Sequence, residues 1–128
     1  MRALIDTHCH LDFSIFDNDR PAIIQACRDA DIHSIIVPGV CRKNWQRILS
    51  LCEQETMLYP ALGLHPCFIN EHDKTDLEQL NQLCSANKSL IAIGEIGLDY
   101  FIKEADKKNQ FFYFSEQLAI AVQHDLPV

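Results

Sequence analysis

Ala3-Leu4-Ile5 runs without a break into Asp6-Thr7-His8-Cys9-His10, so a short apolar stretch gives way at once to a polar pair of metal-ligand type. The same transition recurs along the chain. Ser34-Ile35-Ile36-Val37 stops at Pro38-Gly39, Leu58 to Leu62 stops at Gly63-Leu64-His65-Pro66, and Leu90-Ile91-Ala92-Ile93 stops at Gly94-Glu95. Apolar runs of this length bounded by glycine and proline read as strands buried on both faces. Helical periodicity fills the gaps between them. Asp19-Arg20-Pro21 opens a first helix, with Ala22, Ile23, Ala26 and Ala30 expected on its inner face. A second spans Arg42 to Gln54 with Trp45, Ile48, Leu49 and Cys52 as its stripe, and a third runs from about Lys74 to Ala86 with Leu77, Leu80, Leu83 and Cys84 inward. A long fourth helix is expected to bury Phe111, Phe114, Leu118, Ala121 and Val122, and Leu126-Pro127-Val128 looks like the opening of a fifth strand. Alternating strands and helices predict an α/β fold with a parallel sheet. Each unit takes roughly 25 to 35 residues, the pace of a TIM-type (β/α)8 barrel, so the chain is expected to supply about four βα units of one.

Composition narrows the function classes. The 128 residues are 48% hydrophobic, enough for one globular domain, and no linker or low-complexity stretch divides them. A formal charge of −7 leaves no basic face to grip a phosphate backbone, so a nucleic-acid substrate would need metal ions to supply positive charge. No run approaches the roughly 20 apolar residues of a bilayer span, and no membrane partner is expected. The six cysteines contain no CxxC pair and the start carries no secretory signal, which predicts reduced thiols in a cytoplasmic protein.

The chemistry concentrates where strands end. His8 and His10, two apart, leave the same face roughly 6.6 Å from each other along an extended backbone, close enough to converge on one divalent ion. Cys9 between them points away. His65 and Glu95 each follow an apolar strand directly, and in a parallel sheet that is the edge where ligands bind. Glu95 is hemmed in by Ile93-Gly94 and Ile96-Gly97, where a carboxylate is costly without a cation. His65, followed by Pro66, either contacts a substrate phosphate or locks its loop; the residues leave both open. Asp6 either orients a ligand ring or caps a backbone group. Asp99 is expected to make a structural hydrogen bond beyond Glu95. His33, His72 and His124 are expected at the surface or at helix ends, and the Phe111, Phe112 and Phe114 face reads as helix packing rather than a base-stacking platform.

Ile5-Asp6-Thr7-His8-Cys9-His10-Leu11-Asp12, Gly63-Leu64-His65-Pro66 and Ala92-Ile93-Gly94-Glu95-Ile96-Gly97-Leu98-Asp99-Tyr100 resemble successive motifs of the TatD family of metal-dependent hydrolases. Gln110, Phe114, Gln117, Leu118, Ala119 and Ala121, followed by Leu126-Pro127-Val128, resemble the helix and strand that come next. The likeness runs end to end, with the motifs in family order. It implies an amidohydrolase-like barrel, of which residues 1–128 would be the N-terminal half, and two divalent metal ions, Mg2+ first with Mn2+ or Zn2+ as alternatives. By that likeness His8 and His10 bind one metal, Glu95 is the catalytic carboxylate bridging both, and His65 lies on the substrate side; Asp6 and Asp99 are expected, from their own positions, to support the site from behind the ligands. The implied activity is hydrolysis of DNA phosphodiester bonds from a 3′ end by a metal-activated water.

The family's later ligands, histidines after the fifth and sixth strands and an aspartate after the eighth, have no counterpart in these residues. Impaired activity is therefore expected of this chain alone, along with self-association or a need for a C-terminal half. Other readings stand beside this one. They are a polymerase-and-histidinol-phosphatase-like domain, hydrolysis of another ester such as D-aminoacyl-tRNA, and a catalytically inactive metal-binding remnant. The first of these predicts neither the Gly-Leu-His-Pro nor the Gly-Glu-Ile-Gly-Leu-Asp-Tyr stretch.

Overall fold

A computed structural model describes residues 3–128. Four strands, β1 (Leu4–Asp6), β2 (Ile32–Pro38), β3 (Leu58–Leu62) and β4 (Ala92–Ile93), form one parallel sheet in the order β1-β2-β3-β4. Ile35 stands opposite Leu58, and Ala61 opposite Ala92. The connecting helices are α1 (Arg20–Asp29), α2 (Arg42–Gln54) and α3 (Lys74–Ala86), and α4 (Lys107–Gln123) follows β4. A doubly wound sheet reverses its strand order at a switch point, whereas an unreversed sequence of neighbours is the arc of a barrel.

One apolar cluster joins the sheet to all four helices. Ile35, Val37, Leu62 and Ile93 from the strands meet Ile24 of α1, Trp45 and Ile48 of α2, Leu80 of α3 and Ile120 of α4. Trp45 is 2% exposed, and its indole N–H donates to the Gly63 carbonyl at 3.1 Å, so the largest core side chain is tied to the end of β3. The opposite, concave side of the sheet opens on a hollow of about 470 Å³ between Ile36, Ala61, Ala92 and Phe114.

Four expectations need correction. On α1 the buried residue is Ile24, with Ile23 and Cys27 packed beside it, while Ala22, Ala26 and Ala30 are exposed. An isoleucine removes far more apolar area from water than an alanine, and that difference sets the helix's rotation. On α4 the inward residues are Gln110, Tyr113, Gln117, Ile120 and Ala121, whereas Phe111 and Val122 are exposed and Phe114 and Leu118 half-buried. The glutamines displace the phenylalanines because their amides bond to loop backbone. β4 pairs over Ala92–Ile93 alone. Ile91 donates to the Pro60 carbonyl at 3.1 Å, and proline has no N–H to return. Finally, β2 begins early enough to include His33. Leu126-Pro127-Val128 lies beside β4 through one bond, Ile93 N–H to the Pro127 carbonyl at 2.9 Å.

All six cysteines are free thiols. Burial pushes the Cys52 thiol up to about 12 and the Cys84 thiol up to about 11, from an ordinary 9.0. A thiol that ionises later in the folded than in the unfolded chain favours the fold fully below pH 9, and that share of stability drains away between pH 9 and about 12. Urea midpoints are expected to fall as pH is raised through that window, and less steeply in Cys52→Ala. An equal fall in the variant would remove Cys52 as a cause. Among the described residues, no helix is long and apolar enough to cross a membrane.

Candidate metal centre

The parallel sheet sends the ends of β1, β3 and β4 to one rim, and the loops there are tied to one another by backbone hydrogen bonds. Glu95 donates to the Gly39 carbonyl at 2.8 Å, His65 to the Val40 carbonyl at 2.8 Å, and Cys9 to the Ile36 carbonyl at 3.0 Å. The turn after β2 carries none of the expected ligands, yet it holds two of the loops that do. Gly63 lets the strands close up at this level. A Cβ there would stand 2.7 Å from the Gly94 carbonyl carbon and 2.9 Å from the Glu95 nitrogen.

Three side chains converge on this frame. His8 Nε2 and His10 Nε2 are 3.1 Å apart, and they lie 3.1 Å and 3.4 Å from Glu95 Oε2. Ligands about 2.1 Å from a divalent ion stand roughly 3.0 to 3.4 Å apart at octahedral and tetrahedral angles, so the three atoms have the mutual spacing of a coordination face. The donor set, two imidazole nitrogens and one carboxylate oxygen, suits a hard or borderline divalent cation. The second oxygen, Oε1, faces His65 Nε2 at 3.0 Å, so Glu95 presents one oxygen to each side of the rim. The His8 side chain is 51% exposed and the other three lie between 20% and 28%, leaving the centre open from the His8 side. The His10 ring stacks on Phe13 with centroids 4.8 Å apart.

The supporting residues sort out differently from the ligand-type ones. Asp6 Oδ1 accepts from the backbone N–H of His8 at 3.0 Å, so it holds that residue by its main chain and not by its ring. Asp99 Oδ1 accepts from Phe101 N–H at 3.0 Å, turning the loop beyond Glu95. His65 Nδ1 accepts from Cys67 N–H at 3.0 Å, which fixes the ring so that Nε2 faces Glu95. His72, expected at the surface, is half-buried instead. Its Nε2 lies 2.9 Å from the His65 carbonyl and its ring packs edge-on against Tyr113. Burial holds its imidazole below the usual histidine range. His124 pairs with Asn81 at 2.6 Å at the end of α4.

Sequence reasoning missed two features of the rim. Asp12 is 1% exposed, takes one long contact of 3.5 Å from Asn44 Nδ2, and has its carboxyl pushed up by burial. The other is a pair of buried glutamines. Gln117 bonds both backbone groups of Leu64, at 2.6 Å and 3.2 Å, and Gln110 bonds both backbone groups of Asp99, at 2.8 Å and 2.9 Å. Their place among the motif residues was the available signal; a polar amide on a helix otherwise reads as surface.

The family model described as TatD related DNase matches residues 5–128. The chain belongs to the TatD family. Among TatD-family relatives, the protein of Escherichia coli K12 named uncharacterized metal-dependent hydrolase YjjV is 42% identical over 97% of this chain and 48% of its own length. YabD of Bacillus subtilis 168, likewise named an uncharacterized metal-dependent hydrolase, is 33% identical over 98% of this chain and 49% of its own. The protein of Erwinia tasmaniensis named 3′-5′ ssDNA/RNA exonuclease TatD is 29% identical over 98% of this chain and 48% of its own. A crystal structure of YjjV matches with a TM-score of 0.93, covering 98% of this chain and 49% of that one. The chain thus spans about half the length of the curated relatives it matches, and its four strands form half of a TatD barrel.

Proposed function

We propose that this chain is the N-terminal part of a single barrel domain that hydrolyses DNA phosphodiester bonds from a 3′ end. In this reading His8 and His10 would hold one divalent ion and Glu95 would be the carboxylate shared with a second, with Mg2+ in first place and Mn2+ or Zn2+ as alternatives. The observation that carries it is the convergence of His8 Nε2, His10 Nε2 and Glu95 Oε2 within 3.4 Å, with the other Glu95 oxygen turned to His65. Divalent ions at such a face polarise a phosphoryl oxygen and lower the pKa of water. The chain's own part is positional. The two imidazoles donate neutral nitrogen, and Glu95 supplies the anionic charge that offsets an ion's own. His65, facing the other oxygen of Glu95 from His8 and His10, is the side chain this reading assigns to the substrate phosphate. At a net charge of −7 the protein does not balance DNA's phosphates by itself, which makes the ions the electrostatic contact with substrate. A relative named as an ssDNA/RNA exonuclease supports the substrate class. Six free thiols accord with a reducing, cytoplasmic setting.

The decisive experiment joins this chain to the C-terminal half of E. coli YjjV and follows release of nucleotides from 3′-labelled single-stranded DNA. Mg2+- or Mn2+-dependent release is expected, abolished by EDTA and reduced at least about a hundredfold by Glu95→Ala, since losing a ligand exceeds the 10- to 100-fold typical of losing a ligand's supporting group. The chain alone is expected to be far slower than the fusion. An active fusion indifferent to Glu95→Ala would overturn the assignment.

A further inference from the structure

We infer that Gln110 and Gln117 are positioning residues through which α4 sets the separation of His65 and Glu95, an inference that rests on the metal-centre reading above. A side-chain amide carries a carbonyl acceptor and two N–H donors, so a single glutamine can pair both the N–H and the C=O of one backbone residue, as a neighbouring strand would. Each glutamine uses it that way. Gln117 Oε1 accepts from Leu64 N–H at 2.6 Å while Nε2 donates to the Leu64 carbonyl at 3.2 Å and to the Tyr113 carbonyl at 3.0 Å. Gln110 Oε1 accepts from Asp99 N–H at 2.8 Å while Nε2 donates to the Asp99 carbonyl at 2.9 Å.

Where these grips fall gives them consequence. Leu64 immediately precedes His65, and Asp99 lies in the same loop as Glu95, the segment that joins β4 to α4. Both loops have left the sheet ladder, so their backbone groups need partners if they are to stay buried. The two glutamines are two turns apart on one face of α4 and are 1% and 0% exposed; the Gln117 bonds to Leu64 are buried and the Gln110 bonds to Asp99 part-buried. Between them Tyr113 packs against His72, which holds the His65 carbonyl at 2.9 Å. One rigid helix therefore grips the β3 loop and the β4 loop at fixed spacing, and the contact across the rim is His65 Nε2 to Glu95 Oε1 at 3.0 Å. An apolar pair on the same face would pack as well and position neither loop.

The test uses Gln110→Met and Gln117→Met, which keep side-chain length and remove both polar functions, with Ile120→Val on the same helix as a control for general loss of stability. Three quantities are read by NMR on the folded chain: exchange of the Leu64 and Asp99 amides, the His65 ring resonance, and Mn2+ affinity from broadening of the His8 and His10 ring signals. The expected result is crossed. Gln117→Met exposes the Leu64 amide to exchange, leaves Asp99 protected and shifts the His65 ring resonance; Gln110→Met exposes Asp99, spares Leu64 and weakens Mn2+ binding roughly tenfold, the usual size for a group supporting a ligand. Ile120→Val does neither. Should Gln117→Met fail to fold, Gln117→Glu retains the acceptor for Leu64 N–H, and a displaced His65 ring resonance is still expected. Unchanged exchange and His65 resonance in the glutamine variants, or the same changes in Ile120→Val, would overturn the inference. If the unmodified chain binds no Mn2+, the metal reading fails by itself, and the exchange pattern with the His65 resonance still decides the clamp.

Discussion

Glu95→Ala is expected to lower the divalent-ion affinity of this chain at least about a hundredfold, beyond the 10- to 100-fold loss typical of a ligand's supporting group. Glu95 is the shared partner of the rim: Oε2 lies 3.1 Å from His8 Nε2 and 3.4 Å from His10 Nε2, and Oε1 lies 3.0 Å from His65 Nε2. Without it three imidazoles remain with no anionic donor among them, and neutral nitrogens alone hold a hard cation poorly. Calorimetric titration with Mn2+ measures the loss directly. His33→Ala, at an exposed position on β2 away from the rim, is the matched control and should bind as the parent does. Equal affinity in the parent and Glu95→Ala would mean that ions bind elsewhere.

Gly63→Ala should be the most damaging small substitution at the rim, destabilising the fold by about 3 kcal/mol, at the upper end of the usual range for overpacking. Its Cβ would meet Gly94 C at 2.7 Å, Glu95 O at 2.8 Å and Glu95 N at 2.9 Å, all of them backbone atoms that have no rotamer to escape into. The same residue's carbonyl takes the Trp45 indole bond, so any retreat of the strand also disturbs the core. A fall in Tm of roughly 10 °C is expected, with weakened Mn2+ binding in the molecules that stay folded because the Glu95 backbone is what must move. At Gly94 an added Cβ meets only Ala61 Cβ at 3.9 Å, so Gly94→Ala carries little of this steric cost. Similar melting temperatures for the two variants would remove close backbone approach as the reason for a glycine at position 63.

How far the site was legible depends on the distance over which each residue finds its partner. His8, His10, His65 and Glu95 were readable because each lies just past the end of an apolar run, and a parallel sheet carries the ends of all its strands to one edge. Asp6 was half-readable: a carboxylate two residues from His8 reaches either its ring or its backbone, and the fold settles it as a bond to the backbone N–H. His72 looked like a surface residue because its partner is the His65 carbonyl, reached by a turn spanning Pro66–Glu71 whose path the sequence leaves open.

The sequence by itself determined the order of strands and helices, the α/β class and the residues that reach the rim, because polarity and periodicity are local and a parallel topology follows from their alternation. Tertiary structure alone decided which faces of α1 and α4 turn inward. On α1 the choice lay between alanines and isoleucines, and buried area settled it. On α4 a stripe of phenylalanine and leucine lost its place to two glutamines, because Leu64 and Asp99 arrive there with backbone groups unpaired. A pattern of polarity records what a side chain is, and it holds no record of the distant amide that makes a buried glutamine favourable.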